Sequence, residues 1–181
     1  HLYRVVNYYL AYSLWSQFTY WAQWFAGCDV VLYIDPKVLE KVGKEHCLVL
    51  LNHKYDIDWL IGWIITERFG FLGASKVFVK KSLRYVPIIG WAWYFTETIF
   101  LKRQWNVDKV TILRDLADIT DYPPGYAVNI LLFAEGTRFT EKKLEASNNV
   151  ALDNDLPTLK HARLPRSRGL VQPGHGLHGR L

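Results

Sequence analysis

Short apolar runs separated by helical stretches constrain the fold of this chain more than any other feature. The candidate strands cover residues 47–52, 76–80, 98–102, 126–134 and 158–162. The clearest helix is expected to begin at Asn106 as its N-cap and to end before Pro123. Strands that alternate with helices are typical of α/β proteins. The sequence therefore predicts an α/β domain whose mostly parallel sheet is flanked by helices.

The N-terminal segment differs from this pattern. Residues 5–28 carry no formal charge and mix Tyr, Trp, Leu and Phe with Asn, Gln, Ser and Thr. The segment is long enough to cross a bilayer, but aromatic residues interspersed with polar ones suit the headgroup region better than the hydrocarbon core. We expect a membrane-embedded or interfacial helix that stops near Gly27, and a helix buried in the protein core is the alternative.

These patterns divide the chain into three parts. Residues 1–28 are expected to form the membrane-associated helical segment, residues 29–168 the α/β domain, and residues 169–181 a flexible tail rich in Gly. The chain begins inside an apolar run without an initiator Met, so we expect the natural N-terminus to precede it.

The most informative residues follow the first candidate strand. His53 stands where the strand ends, and Asp58 follows at the start of a helical pattern. Residues five apart point about 140° away from each other on one helix, so the two side chains can meet only across a strand-to-helix corner. The carboxylate would then hold one ring nitrogen and leave the other as a base. A polar pair without catalytic function is the alternative, and a metal site is disfavoured because no second His has ligand spacing.

A second group of polar residues follows the candidate strand 126–134. Glu135 is expected to hold a neighbouring cation, Gly136 permits close backbone approach, Thr137 offers a hydroxyl, and the planar fork of Arg138 matches phosphate oxygens. An ordinary polar turn is the alternative. This loop predicts a site for a phosphate group.

Positive charge points to an acidic partner. The net charge is +5, and residues 75–103 contain six Lys and Arg against one acid, Glu97. These cations alternate with long aliphatic runs and Trp, and no nucleic-acid-binding motif is recognisable. The sequence therefore predicts a phospholipid membrane or a phosphorylated small molecule as the partner, and not nucleic acid.

Taken together, these segments resemble the lysophospholipid acyltransferase family, and within it the 1-acylglycerol-3-phosphate acyltransferases of the gamma and delta type. The resemblance runs from about Leu10 to Gly169. It implies that residues 29–168 are an acyltransferase catalytic domain that is incomplete at its C-terminal end. It is carried, in the family's order, by LAYSLWSQ, LNHKYDID, SKVFVKKSLRYVPIIGWAWYF, FLKR, DYP, EGTRFTEKK and LPTLKHARLPRSRG. One departure is Glu97, which stands where much of the wider family has Gly.

The resemblance implies specific roles for residues of this chain. His53 and Asp58 match the family's catalytic pair, and Pro157 and Pro165 fall in the motif associated with the acyl donor. The residues that match the acceptor phosphate site or lie near it are Arg103, Glu135, Gly136, Thr137, Arg138 and Lys80.

The resemblance also implies a reaction and a location. The expected reaction transfers an acyl group from acyl-coenzyme A, a co-substrate, to the sn-2 hydroxyl of lysophosphatidic acid, without a cofactor or a metal. A hydroxyl needs a base to attack a thioester, and His53 is the candidate. The expected location is the endoplasmic reticulum membrane. Another lysophospholipid acceptor, such as lysophosphatidylinositol or lysocardiolipin, and a non-catalytic lipid-binding function are the alternatives.

Overall fold

A computed structural model describes residues 2–102 and 104–165 of the 181-residue chain. Four strands form a single sheet in which every neighbouring pair is parallel: β1 (Cys47–Leu51), β2 (Ser75–Lys80), β3 (Ile99–Leu101) and β4 (Asn129–Phe133). Their order across the sheet is β1-β4-β2-β3. The helices are α1 (Leu2–Tyr20), α2 (Pro36–Leu39), α3 (Asp58–Arg68), α4 (Ile89–Phe95), α5 (Trp105–Thr120) and α6 (Glu141–Asp153). The predicted α/β fold with a parallel sheet is confirmed.

Side chains alternate between the two faces of the sheet and build two apolar clusters. On β2, Phe78 packs into one cluster, and Val77 and Val79 pack into the other. The first cluster lies under α5 and includes Ile112 and Leu116. The second is filled from α1, α3 and α4. The sheet is therefore the middle layer of an α/β/α arrangement.

Helix α1 is apolar on both of its sides. One face, with Tyr8, Ala11 and Trp15, is buried in the two core clusters. At Gly73 a Cβ would lie 2.2 Å from the Tyr8 carbonyl oxygen, so only glycine allows α1 to approach this closely. The opposite face exposes large apolar side chains, namely Leu2, Tyr3, Val6, Tyr9, Leu10, Leu14 and Phe18.

Of the two alternatives that the sequence left open, burial in the protein core applies to one face of the N-terminal helix. The other face is exposed, and its position in or on a membrane stays a prediction. A π-helical turn (Trp21–Phe25) continues α1, and the chain turns away at Gly27, where φ is +67°. Within residues 2–102 and 104–165, no helix is both long enough and apolar enough to cross a membrane.

The fifth predicted strand, residues 158–162, is wrong. The Asn148 side chain on α6 donates to the Leu159 carbonyl (3.0 Å) and accepts from the Leu159 amide (3.1 Å). The Asn148 carboxamide thus satisfies the two backbone groups of Leu159 that a strand would use to pair with a sheet. The largest differences in the predicted boundaries are at β4, which begins at Asn129, and at α5, which has Gln104 as its N-cap and Asn106 inside the first turn. The other strand ends differ from the prediction by one residue at most. The predicted tail, residues 169–181, lies outside the described residues.

A buried ionic network lies beside the sheet. The Lys76 ammonium, 1% exposed, donates to the Thr96 carbonyl (2.6 Å) and to the Tyr122 hydroxyl (3.0 Å), and it lies 3.7 Å from Glu97 Oε2. Burial lowers the pKa of Lys76 to about 8, and the nearby Glu97 carboxylate partly offsets this shift. Glu97 also accepts from the Tyr122 hydroxyl (3.0 Å) and pairs with Arg4 (3.5 Å).

Glu97, the departure noted in the sequence, has φ of +57°, a backbone region that favours glycine. Its carboxylate meets Lys76, Arg4 and Tyr122 from this unusual conformation. The Glu97 carboxylate compensates the buried charge of Lys76, and this stabilisation offsets the backbone strain at Glu97.

Candidate active site

The carboxyl ends of the four parallel strands lie along one edge of the sheet. His53 follows β1, the loop 135–138 follows β4, Lys80 ends β2, and Lys102 follows β3. Adjacent strands are about 4.8 Å apart, so the four positions span roughly 14 Å. Such edges are the usual ligand-binding side of open parallel sheets.

The structure brings His53 and Asp58 together at the corner between β1 and α3. His53 Nδ1 lies 3.0 Å from Asp58 Oδ2. The same oxygen accepts the backbone amides of Lys54 (2.6 Å) and Tyr55 (2.9 Å). Asp58 is the first residue of α3, and its carboxylate thus ties the preceding loop to the helix.

The His53 ring is held in position but remains accessible. It stacks on Phe133, the last residue of β4, with ring centroids 4.4 Å apart. Its backbone carbonyl accepts from the Phe139 amide at 2.6 Å, and its side chain is 20% exposed. A carboxylate can only accept, so the Asp58 contact assigns the proton to Nδ1 and leaves Nε2 as a hydrogen-bond acceptor.

The loop after β4 reaches the same corner. The chain turns at Gly136, where φ is +70° and the amide donates to the Phe133 carbonyl at 2.9 Å. Arg138 then forms an ion pair with Asp56, which lies between His53 and Asp58 in sequence. Both side chains are more than half exposed, and the pair is therefore weak enough for the guanidinium to take up another anion.

Two further cations contact this loop, and the sequence analysis missed both. Lys143 donates to Thr137 Oγ1 (2.8 Å) and to the Arg138 carbonyl (3.1 Å), and Arg163 donates to Thr137 Oγ1 (3.3 Å). Two cationic side chains thus contact Thr137, and a third cation, Arg138, follows it in the chain. Their arrangement suits an anionic group better than any single arginine would.

A sequence signal existed for Lys143 alone. Thr140 caps α6 by accepting from the Lys143 amide, which places Lys143 in the first helical turn. Helical side chains lean towards the N-terminus, so a lysine at this position reaches the loop before the helix. Arg163 carries no such signal, because it directly follows residues 158–162, whose pattern predicts a strand.

The remaining candidate residues are less closely joined to the corner. Lys80 is exposed and, by the register of β2 with β4, lies level with Ala134. Glu135 is buried, and its Oε2 has no hydrogen-bond partner among the described residues. Its predicted role of holding a neighbouring cation stays a prediction. Arg103 lies outside the described residues. Pro157 and Pro165 are both exposed. They lie at the two ends of residues 157–165, which Asn148 binds at Leu159.

The described part of the chain contains no group of three or more His, Cys, Asp and Glu side chains that could hold a metal ion. The site combines the His53 imidazole and the Asp58 carboxylate with a group of cations, one of which pairs with Asp56. Such a set can move a proton and hold an anion at the same time.

Comparison with known proteins adds a family and named relatives. Residues 33–172 match the family model described as Acyltransferase. The chain is 49% identical over 170 residues to 1-acyl-sn-glycerol-3-phosphate acyltransferase delta of Bos taurus, an alignment that covers 94% of the chain and 44% of the relative. It is 47% identical over 178 residues to 1-acyl-sn-glycerol-3-phosphate acyltransferase gamma of Homo sapiens, covering 98% of the chain and 47% of the relative. The chain thus spans less than half the length of these curated relatives. No solved structure matches it significantly.

Proposed function

Because this chain belongs to the acyltransferase family, we propose that it transfers a fatty acyl group from acyl-coenzyme A to the sn-2 hydroxyl of 1-acyl-sn-glycerol-3-phosphate. The product would be phosphatidic acid. The observation that supports this proposal most is the His53 and Asp58 pair beside the cationic loop that contains Arg138. Relatives named for this activity, at 47 to 49% identity, are the second support.

In the proposed mechanism His53 acts as the general base. Its Nε2 takes the proton of the acceptor hydroxyl while the oxygen attacks the thioester carbonyl, so a C–O bond forms and the C–S bond breaks. The thiolate of coenzyme A leaves and receives the same proton from the imidazolium. Asp58 stabilises that imidazolium through Nδ1. No acyl-enzyme and no cofactor are needed, because both substrates are bound together.

The acceptor phosphate would lie at the loop after β4. Arg138 can bind two phosphate oxygens, and Lys143 and Arg163 contribute further positive charge from 2.8 and 3.3 Å of Thr137. Lys80, at the end of the neighbouring strand β2, would add a fourth cation. This cluster neutralises a phosphate monoester, which carries up to two negative charges.

The lipid part of the acceptor needs an apolar environment, and we propose that α1 supplies the attachment. Its outward face exposes Leu, Tyr, Val and Phe side chains, and the π turn adds Trp21 and Trp24 at 56% and 80% exposure. Trp and Tyr favour the interfacial zone of a bilayer. If α1 attaches the chain, alkaline carbonate should leave it with the membrane fraction. Release of the intact chain as a lipid-free monomer would contradict this attachment.

The acyl-transfer proposal is tested with membranes that carry the chain, labelled oleoyl-coenzyme A and a panel of acceptors. Lysophosphatidic acid should give labelled phosphatidic acid at a rate above that of membranes without the chain. Preference for lysophosphatidylinositol or lysocardiolipin would keep the chemistry and change the acceptor. Absence of transfer to every lysophospholipid, from a chain that still binds acyl-coenzyme A, would contradict the proposal.

A further inference from the structure

A second exposed apolar surface lies directly after β2, at the edge of the sheet that carries His53. Residues 83–95, the 83–95 segment, comprise the end of a 3₁₀ turn (Lys81–Tyr85), a short connection and α4. Five of its large side chains are 50 to 76% exposed: Tyr85, Ile88, Trp91, Tyr94 and Phe95. Soluble surfaces rarely gather so many large apolar groups in one short stretch, and such patches mark interaction sites.

Ile88 is unusual in its backbone as well as in its exposure. Its φ of +65° and ψ of −63° place it in a γ-turn, with the Ile89 amide donating to the Pro87 carbonyl at 2.7 Å. This conformation is rare and strained, and for a β-branched residue it is a clear outlier. Glycine would adopt it more easily, yet the chain places there an isoleucine that is 75% exposed. A strained and exposed apolar residue suggests a contact that the isolated chain does not make.

The 83–95 segment is continuous with the exposed face of α1. Ala92 and Trp93 pack inward into the same core cluster as Ala11 and Trp15. The carbonyl of Phe95 accepts from Asn7 (2.8 Å) and from the Tyr3 hydroxyl (3.1 Å), which joins α4 to α1. The outward side chains of α4 and α1 therefore adjoin.

The charge around this surface identifies its partner. Lys80, Lys81 and Arg84 directly precede or begin the segment, and the Arg84 guanidinium lies 4.2 Å from the centre of the Tyr94 ring. The sequence contains no acidic residue between Lys76 and Glu97, and Glu97 is bonded within the buried network. Aromatic and aliphatic side chains edged by cations complement an anionic bilayer surface.

We infer that the 83–95 segment inserts into the interfacial region of a bilayer containing anionic lipid, as a second attachment beside α1. Two attachments on one side of the sheet fix the orientation of the chain, whereas one helix would leave it free to rotate. The oriented chain presents the carboxyl edge of the sheet to the membrane. The benefit to catalysis, entry of the acceptor from the bilayer, rests on the function proposed above; insertion itself does not.

A fluorescent probe at residue 88 tests the insertion. Ile88→Cys is labelled with an environment-sensitive fluorophore in a Cys28→Ser, Cys47→Ala background and mixed with vesicles of phosphatidylcholine and phosphatidylserine, without acyl-coenzyme A or lysolipid. The matched control is Leu152→Cys, a similarly exposed apolar position at the far end of α6 (66% against 75% for Ile88). The probe at residue 88 should shift to the blue and be quenched by lipids carrying a quencher, and the probe at residue 152 should do neither.

A binding measurement complements the probe. Ile88→Gly combined with Trp91→Ala should weaken vesicle binding about ten-fold or more, since one large apolar side chain buried in lipid contributes roughly that factor. Glycine adopts a positive φ without strain, so Ile88→Gly should not lower the unfolding temperature. Leu152→Ala should leave vesicle binding unchanged.

Three results would overturn the inference. The probe at residue 88 could stay in water while the chain is bound to vesicles, or the double variant could bind as well as the original chain. The probe could also become shielded without lipid as the protein concentration rises, which would assign this face to a second copy of the chain. Because the vesicles contain no substrate, a chain without acyl-transfer activity would still show insertion, so the two proposals fail separately.

Discussion

Replacing Asp58 by asparagine separates the charge of this side chain from its shape. One oxygen, Oδ2, accepts from the His53 ring at 3.0 Å and from the amides of Lys54 and Tyr55 at 2.6 and 2.9 Å. Backbone amides can only donate, so the carboxamide should place its oxygen, and not its nitrogen, at this position. His53 would then keep its tautomer and its orientation. Asp58→Asn therefore removes the negative charge and little else.

The expected loss follows from that geometry. A hydrogen bond to a charged group contributes about 1.5 to 3 kcal/mol and a neutral one about 0.5 to 1.5 kcal/mol, so the charge is worth about 1 to 2 kcal/mol to the imidazolium. The kcat should fall roughly 5- to 30-fold, because 1 or 2 kcal/mol corresponds to that ratio. A reversed carboxamide would impose the wrong tautomer on His53 and cost about 10⁴-fold, as in the serine protease triad.

The assay measures kcat and the KM for acyl-coenzyme A on membranes that carry equal amounts of each chain, with circular dichroism to compare folding. Asp58→Ala serves as the contrast, since it leaves two amides without an acceptor and should lower stability as well as rate. A 10⁴-fold loss in Asp58→Asn would show that the carboxamide reverses. An unchanged kcat would show that the carboxylate charge takes no part in the reaction.

Three further predictions concern the acceptor, the buried lysine and the C-terminal segment. Arg138→Ala should raise the acceptor KM about ten-fold or more without changing the KM for acyl-coenzyme A, because a charge-assisted contact contributes about 1.5 to 3 kcal/mol; a change in the donor KM alone would place Arg138 at the donor. Burial lowers the pKa of Lys76 to about 8, against 10.5 when exposed, so its contribution to stability should rise by about 2 kcal/mol from pH 7 to 10. Denaturant unfolding should show this rise in stability, and Lys76→Met should lack it. Burial also raises the pKa of the Tyr122 phenol, which lowers stability only above pH 10. Asn148→Ala should lower the free energy of unfolding by about 1 to 2 kcal/mol, because it removes both hydrogen bonds to Leu159; an unchanged value would mean that the segment is held by other contacts.

The parallel sheet was predictable because its strands are continuous apolar runs between helices, the pattern of a sheet covered on both faces. At residues 158–162 the same kind of pattern does not correspond to a strand. Their pattern also resembles a strand, but no sheet edge is needed once the Asn148 amide takes both backbone groups of Leu159. A contact between a helix side chain and a backbone eleven residues away leaves no periodic signal.

The site likewise contains residues that local sequence predicts and residues that depend on long-range packing. His53 and Asp58 are five residues apart, so the local corner geometry was enough to place them together. Lys143 and Arg163 reach Thr137 only after α6 and the segment beyond it have packed. The outward face of α1 was recognised from its aromatic residues, whereas its buried face depends on Gly73, which no pattern in α1 could indicate.

The most direct test of the account is turnover of His53→Ala on membranes, measured together with binding of acyl-coenzyme A to the same preparations. His161→Ala, an exposed histidine outside the corner, is the matched control. General base catalysis contributes about 10²- to 10⁴-fold, so His53→Ala should lose at least 10²-fold in kcat while acyl-coenzyme A binding and circular dichroism stay unchanged. Near-normal turnover of His53→Ala would contradict the central claim that this imidazole is the base.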